Sequence, residues 1–491
     1  MKRGNPERAA GILMPLASLP SDEGIGCLGA DSYRFVDLLA EMGMRIWQLL
    51  PLTPLGYGNS PYQPFASCAG DPLYISLTQL AQEGLIPPER VPAQPRCAGR
   101  IDYEAVRREK EPLLREAAER FYETHGDDAA FRDFCRRDWV YPYAVFMALK
   151  RQNGLRPWTE WPRDQQDWIL NRKYDLLPLR GEIRRGIAEQ YLFFRQWRAL
   201  RRYANSRGIR IMGDLPFYAG LDSLEVWCRR EDFLLEEDGR PAFVAGVPPD
   251  YFNAEGQRWG NPIYDWAHME RDGFSFWIER LRGSGELYDI LRIDHFRAFD
   301  TYWKIPAASP TAMVGEWVKA PGRALFERIR CELPELHIVA EDLGGDLTPG
   351  VHALRDDFGL MGMNVAAFTL MSGETPKKNQ IAYTGTHDNQ TARGFYESMP
   401  PEEKAKLRFA LRHYGSTHEP VSKKMLRYVF LSDADMAIVP LADVLDLGDE
   451  ARLNTPGSVG SPNWEWRLTD WKGVLRKKRF LRELTKLSKR D

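Results

Sequence analysis

Short apolar runs alternating with stretches of helical periodicity constrain this chain more than any other feature of its sequence. The first run is Gly11-Ile-Leu-Met-Pro-Leu16. Residues 31–43 follow, where Phe35, Leu38, Leu39 and Met42 share one helical face, Asp31 is placed to cap the start and Gly43 to end it. A second run, 45–50, comes at once. Later ones lie at 208–213, 289–293, 337–340, 363–368, 381–385 and 436–440. Eight strands with helices between them predict an α/β fold, a closed (β/α)8 TIM barrel with long loops at its C-terminal face.

The gap between the second and third runs is long. Helical patterns near 105–125, 129–153 and 182–206 fill it, and the last reads as the barrel's own second helix. Residues 71–180 therefore read as an inserted, mainly helical subdomain between strands 2 and 3 of a single catalytic barrel spanning 1–491. No repeat of 20–50 residues is visible.

Composition removes several function classes. The 67 Lys and Arg nearly balance the 69 Asp and Glu, a net charge of -2, which argues against a nucleic-acid partner. No run of 18 apolar residues exists to span a membrane, while 43% hydrophobic residues suffice for a large core. The 34 Pro and 40 Gly imply many shaped loops. The 15 Trp suit either a large core or flat platforms for ring-shaped ligands. Six scattered cysteines with no CxxC pair point to a reduced, cytoplasmic protein. Lys2, Arg3 and the apolar stretch 9–17 imitate a leader, but Glu7 and Pro15 interrupt it, and a barrel strand is the better reading.

Chemistry enters at the strand ends. Asp214, Asp294, Glu341 and Asp388 follow strands three, four, five and seven, and acids there point into the mouth of a barrel. One such acid is ordinarily a loop cap; four in register are not. Metal-dependent hydrolysis would want histidines at ligand spacing, and the eight His form no HxH or HExxH. Glycoside transfer needs an ionised carboxylate and a protonated one. Arg292 lies two residues before Asp294 on the same strand face and favours its charged form. Glu341 has no such local cation, and Asp342 beside it favours the protonated form. His295 and His387 flank two of the acids, where each suits either a sugar hydroxyl or a structural hydrogen bond.

Arg292-Ile-Asp-His-Phe-Arg297, Ala340-Glu-Asp-Leu-Gly344 and Thr386-His-Asp-Asn389 resemble, in order, the three acidic motifs of the amylase-related clan. Gly56-Tyr-Gly-Asn-Ser-Pro-Tyr-Gln63, Gly246-Val-Pro-Pro-Asp-Tyr-Phe252, Gln257-Arg-Trp-Gly-Asn-Pro262 and Asn454-Thr-Pro-Gly457 narrow the resemblance. The family they are similar to is that of the amylomaltases, or disproportionating enzymes: the 4-α-glucanotransferases of glycoside hydrolase family 77. The similarity runs from about residue 11 to Trp464-Glu-Trp466.

This resemblance implies that Asp294 is the nucleophile, Glu341 the general acid/base and Asp388 a third carboxylate that grips ring hydroxyls. It implies substrate contacts for Arg292, His295, His387, Tyr62, Asp214, Trp259 and Asn463, and places Tyr251 and Phe252 at the tip of a loop covering the glucan. Asn454 and Asn463 lie in Gly/Pro-rich segments where Asn also serves as a turn former. Three positions depart from the family pattern: Ala298 where Gly is usual, Gln390 where an acid is common, and a stretch after Leu343 one residue longer than usual.

The implied reaction is transfer of α-1,4-glucan segments between malto-oligosaccharides, or to glucose, through a covalent glucosyl-enzyme with net retention. Aromatic cover from Tyr251 and Phe252 would favour an acceptor sugar over water. A retaining α-glucan hydrolase using the same acids is the alternative, and a catalytically silent glucan-binding barrel a third reading. No cofactor or metal is implied, since there is no GxGxxG after a strand, no P-loop and no metal signature. No coiled coil or apolar interface helix is visible, so a monomer is expected.

Overall fold

The computed structural model describes residues 8–92, 99–249, 254–344 and 347–491. Eight parallel strands form its centre: β1 (Ala9–Leu13), β2 (Ile46–Gln48), β3 (Arg210–Leu215), β4 (Ile290–Ile293), β5 (Ile338–Ala340), β6 (Gly362–Val365), β7 (Gln380–Tyr383) and β8 (Met436–Pro440). Each pairs with its neighbours in chain order, and β8 returns to β1 with Ala9 opposite Met436. A single parallel bridge, Val339 to Met361, spans the remaining seam between β5 and β6. The result is the expected (β/α)8 barrel.

The strands read as continuous apolar runs because helices cover their outer faces and other strands their inner ones. Every residue of β1, β2, β5, β6 and β8 is buried. Close approach is needed where β1 meets β2: a Cβ on Gly11 would sit 2.8 Å from the Ile46 Cβ and carbonyl oxygen.

The helices Tyr103–His125, Ala129–Cys135 and Val140–Gln152 occupy the gap between β2 and β3. The 27-residue helix Arg180–Ser206 joins them to the barrel, with Leu192, Phe193, Trp197 and Leu200 buried along it. Polar staples fix the join. Lys110, fully buried, bonds Glu23 Oε2 at 2.8 Å, and the Gln190 amide bonds both the N–H and the carbonyl of Gly70.

Several boundaries differ from the sequence expectation. The first strand begins at Ala9 and ends at Leu13, not Leu16, because Pro15 offers no N–H to a ladder. The run 363–368 stops as a strand at Val365 and turns into the helical segment Ala366–Thr369. Asp31 does not cap its helix. Gly29 holds that position, and the Asp31 carboxylate instead accepts from Trp471 Nε1 at 2.7 Å.

A second sheet was not expected at all. Four antiparallel strands, in spatial order Gln257–Pro262, Phe243–Val247, Thr301–Pro306 and Glu316–Lys319, stand beside the mouth. Glycine and proline within Gln257–Pro262 hide the alternation that would have signalled a strand. No described helix is long and apolar enough to cross a membrane.

Candidate active site

Strand register assembles the charged centre. In the β3–β4 ladder Asp214 lies directly opposite Arg292. The guanidinium contacts both Asp214 oxygens, at 2.7 and 2.6 Å, and reaches Asp294 Oδ1 at 3.0 Å with its other terminal nitrogen. Asp214 and Arg292 are closed off from solvent, whereas the Asp294 side chain remains 30% exposed toward the mouth. Arg292 is thus a buried clamp whose charge is shared between one internal carboxylate and one that faces outward.

The next ladder sets the second acid. Ile293 lies opposite Ala340, so one further step places Asp294 and Glu341 on adjacent strand ends, about 4.8 Å apart at the backbone. Glu341 Oε2 accepts the His295 N–H at 2.7 Å and Oε1 accepts the Leu343 N–H at 3.0 Å. His295 adopts left-handed backbone geometry, φ +54°, to deliver that N–H. A non-glycine residue there is held by its surroundings, a usual mark of functional turns.

Burial raises the proton affinity of both carboxyls, and Glu341 is raised the further. Burial is the largest cause for each and Arg292 pulls each back, while Asp294 raises Glu341 and is itself raised by Asp214 and Asp388. The pair therefore holds a proton above the ordinary carboxylate range, on Glu341. Asp342 has no part in this, contrary to the sequence argument: its side chain turns away to Arg355 and to the Met363 N–H.

Asp388 comes from the turn after β7. Its Oδ1 accepts the Asn454 Nδ2–H at 2.6 Å, and Oδ2 stands 3.5 Å from His387 Nε2. The buried His387 ring stacks on Tyr62 at 5.0 Å and 11°, and the Tyr62 hydroxyl donates to Asp214 Oδ2 at 2.8 Å. Asp214 thus accepts from both Tyr62 and Arg292, and Arg292 links this pair to Asp294.

Of these groups Tyr62, Asp294, His387, Asp388 and Asn454 open on a cavity of about 530 Å³, which Tyr218, Trp259 and His295 also line. Trp259 projects from the second sheet and meets the His295 ring edge-on at 4.9 Å. Burial and the neighbouring Arg297 push His295 down to about 3, so it is a neutral imidazole at ordinary pH.

Asn463 does not line this cavity. Its Oδ1 accepts the Thr455 N–H, and its Nδ2 donates to the Ser458 carbonyl and hydroxyl, so it braces the loop 454–464 from within. Tyr251 and Phe252 lie outside the described residues. Two of the departures from the family pattern have local explanations. Ala298 is buried in the short turn Phe296–Phe299, and Gln390 donates to Asp449, which an acid in its place would repel.

Sequence reasoning passed over Tyr218, Arg452 and the Gln48–Tyr383 hydrogen bond, 2.9 Å across the barrel interior. Tyr218 follows β3 by three residues, close behind Asp214, which was the available signal for it.

Taken together, fold and site define a (β/α)8 barrel with a carboxylate triad and aromatic walls at its C-terminal mouth, the class of the α-glucan-active enzymes. A family model described as 4-alpha-glucanotransferase matches residues 14–472, and the chain belongs to that family. A 4-alpha-glucanotransferase of Thermus thermophilus is 46% identical over 94% of this chain and 95% of its own length. The Arabidopsis thaliana chloroplastic/amyloplastic 4-alpha-glucanotransferase is 39% identical, over 94% of this chain and 81% of its own. Among solved structures, an amylomaltase from Streptococcus agalactiae in complex with acarbose superposes with a TM-score of 0.93 at 36% identity, covering 99% of this chain and 100% of that one. The enzyme is a 4-α-glucanotransferase.

Proposed function

We propose that Asp294 is the nucleophile, Glu341 the general acid/base and Asp388 the carboxylate that grips the ring in the transition state. The observation that carries this is the asymmetric environment of the two adjacent acids. Asp294 touches the Arg292 guanidinium, while Glu341 has only backbone N–H partners and holds its proton more tightly.

Asp294 attacks the anomeric carbon of an α-1,4-linked donor as the bond to the glycosidic oxygen breaks and Glu341 passes its proton to that oxygen. The leaving glucan departs and a β-glucosyl ester on Asp294 remains. Glu341, now ionised, takes the proton from the 4-hydroxyl of an incoming malto-oligosaccharide or glucose. The new C–O bond forms as the ester breaks, restoring α-configuration and both starting protonation states.

Arg292, Asp214, Tyr62 and His387 hold the donor sugar, with His295 and Trp259 facing the sugar on the opposite side. By the family resemblance Tyr251 and Phe252 favour an acceptor sugar over water, and Asn463 acts through the loop it braces. The enzyme works as a cytoplasmic monomer without a cofactor, and size-exclusion chromatography of the purified protein tests the oligomeric state.

Incubation with maltotriose alone tests the reaction. Transfer yields glucose and longer oligomers at constant total reducing ends. Rising reducing ends without longer products would make the hydrolytic reading correct instead.

A further inference from the structure

The third carboxylate differs from the other two in what holds it. Asp294 is fixed by an arginine and Glu341 by backbone N–H groups, but Asp388 stands on a turn five residues beyond the end of β7, with 41% of its side chain exposed. A side chain from another loop steadies it. Asn454 Nδ2 donates to Asp388 Oδ1 at 2.6 Å, and the Asn454 backbone N–H donates to the His387 carbonyl at 3.1 Å. Arg452 ties the same two segments again, Nη2 to the Asp388 carbonyl at 3.0 Å and Nε to the Asn454 carbonyl at 2.7 Å. The amide nitrogen must face the carboxylate, since the opposite orientation would set two acceptor oxygens together.

We propose that Asn454, itself anchored by Arg452, is a positioning residue for the glucanotransferase reaction. It ties down Asp388 Oδ1 and leaves Oδ2 as the oxygen that meets the sugar hydroxyls. This rests on the reading of Asp388 given above. The loop after β8 thereby sets the aim of an acid that follows β7, so two separate motifs form one functional unit. Asn454 also lines the cavity, so the tie is formed where substrate arrives. A carboxylate that gains grip only as the ring distorts must already be aimed, so loss of the tie lowers kcat more than it raises KM.

The test uses three variants of the full chain, assayed as maltotriose disproportionation across pH. N454A loses the donor, and kcat is expected to fall about 10- to 100-fold, the range for a hydrogen bond to a charged group, with KM within about threefold. N454D replaces the donor with a second carboxyl against Asp388. The titratable groups facing that pair are His387, Arg452, Asp294 and Tyr62. When the two carboxyls share one proton, the introduced group again donates to Asp388. Activity of N454D relative to the unmodified enzyme is therefore expected to rise about tenfold as pH falls from 8 to 5, while the same ratio for N454A stays flat.

A merely structural role would give N454D and N454A ratios that are both independent of pH, or a loss confined to KM with matching loss of thermal stability. Either result overturns the proposal. D388N separates this from the underlying reading: if D388N keeps near-normal turnover, the role of Asp388 itself is wrong. If D388N is inactive and both Asn454 variants behave as the unmodified enzyme, only the positioning role fails.

Discussion

The two walls of the cleft are built on different principles. On one side stand Tyr62, His387 and Asn454, backed by the buried Asp214 and Arg292, and each polar group has a partner at hydrogen-bond distance or is stacked against a ring. On the other stand Tyr218, Trp259 and His295, joined mainly through ring contacts of 4.9–6.2 Å. The polar wall grows from barrel strands and the loops fastened to them, whereas Trp259 rides on the antiparallel sheet beside the mouth. A site that must distort one sugar and merely accept another has use for both kinds: fixed dipoles where charge develops, and broad faces where rings of varied chains must slide.

The largest expected effect is on the charged wall. Asp294→Asn removes the proposed nucleophile while keeping its shape, and kcat is expected to fall by about 10³-fold or more. Circular dichroism and the melting temperature should stay close to those of the parent. Near-normal turnover would remove Asp294 from the mechanism.

The pH profile comes next. On the proposed assignment, activity requires Glu341 protonated and Asp294 ionised. It falls as pH drops through the Asp294 value and again as pH climbs through the higher Glu341 value. Since burial raises both, each limb of kcat/KM should lie above the ordinary carboxylate range near 4. Residual activity of the Asp294→Asn variant should lose its alkaline limb at lower pH, because Glu341 no longer faces a like charge. An alkaline limb that stays put would show that Asp294 does not act on Glu341.

Much of this centre was legible from sequence, for a definite reason. Asp214, Arg292, Asp294 and Glu341 lie at or next to strand ends, where side-chain direction follows from a period of two and the barrel fixes which end is the mouth. Arg292 two residues before Asp294 could be read as its partner without coordinates. What escaped were contacts between segments remote in the chain. Asp342 adjoins Glu341 in sequence yet points to Arg355, and Asn454 meets Asp388 across 66 positions. Asn463 belongs to a motif near the site, but loop closure consumes its amide. The second sheet was hidden for a related reason: its pairing is set by tertiary context, while its own strands carry Gly, Pro and charged residues.

Paired Tyr→Phe substitutions put the contrast between walls to its sharpest test, because the same atom is removed from each. Tyr62→Phe deletes the hydroxyl that donates to Asp214, leaves that buried carboxylate with one donor fewer, and is expected to lower kcat about tenfold.

Tyr218→Phe removes a hydroxyl that is buried and finds no hydrogen-bond partner among the described residues. An unsatisfied buried hydroxyl is a cost to the folded state, so its removal is expected to stabilise the enzyme by about 1 kcal/mol and leave kcat within about twofold. The ring, which meets Trp259 and His295, is retained. Chemical denaturation read beside maltotriose kinetics measures both quantities on one preparation. If Tyr218→Phe instead costs activity as Tyr62→Phe does, the aromatic wall contributes a polar contact to the substrate, and the division between the walls is one of degree.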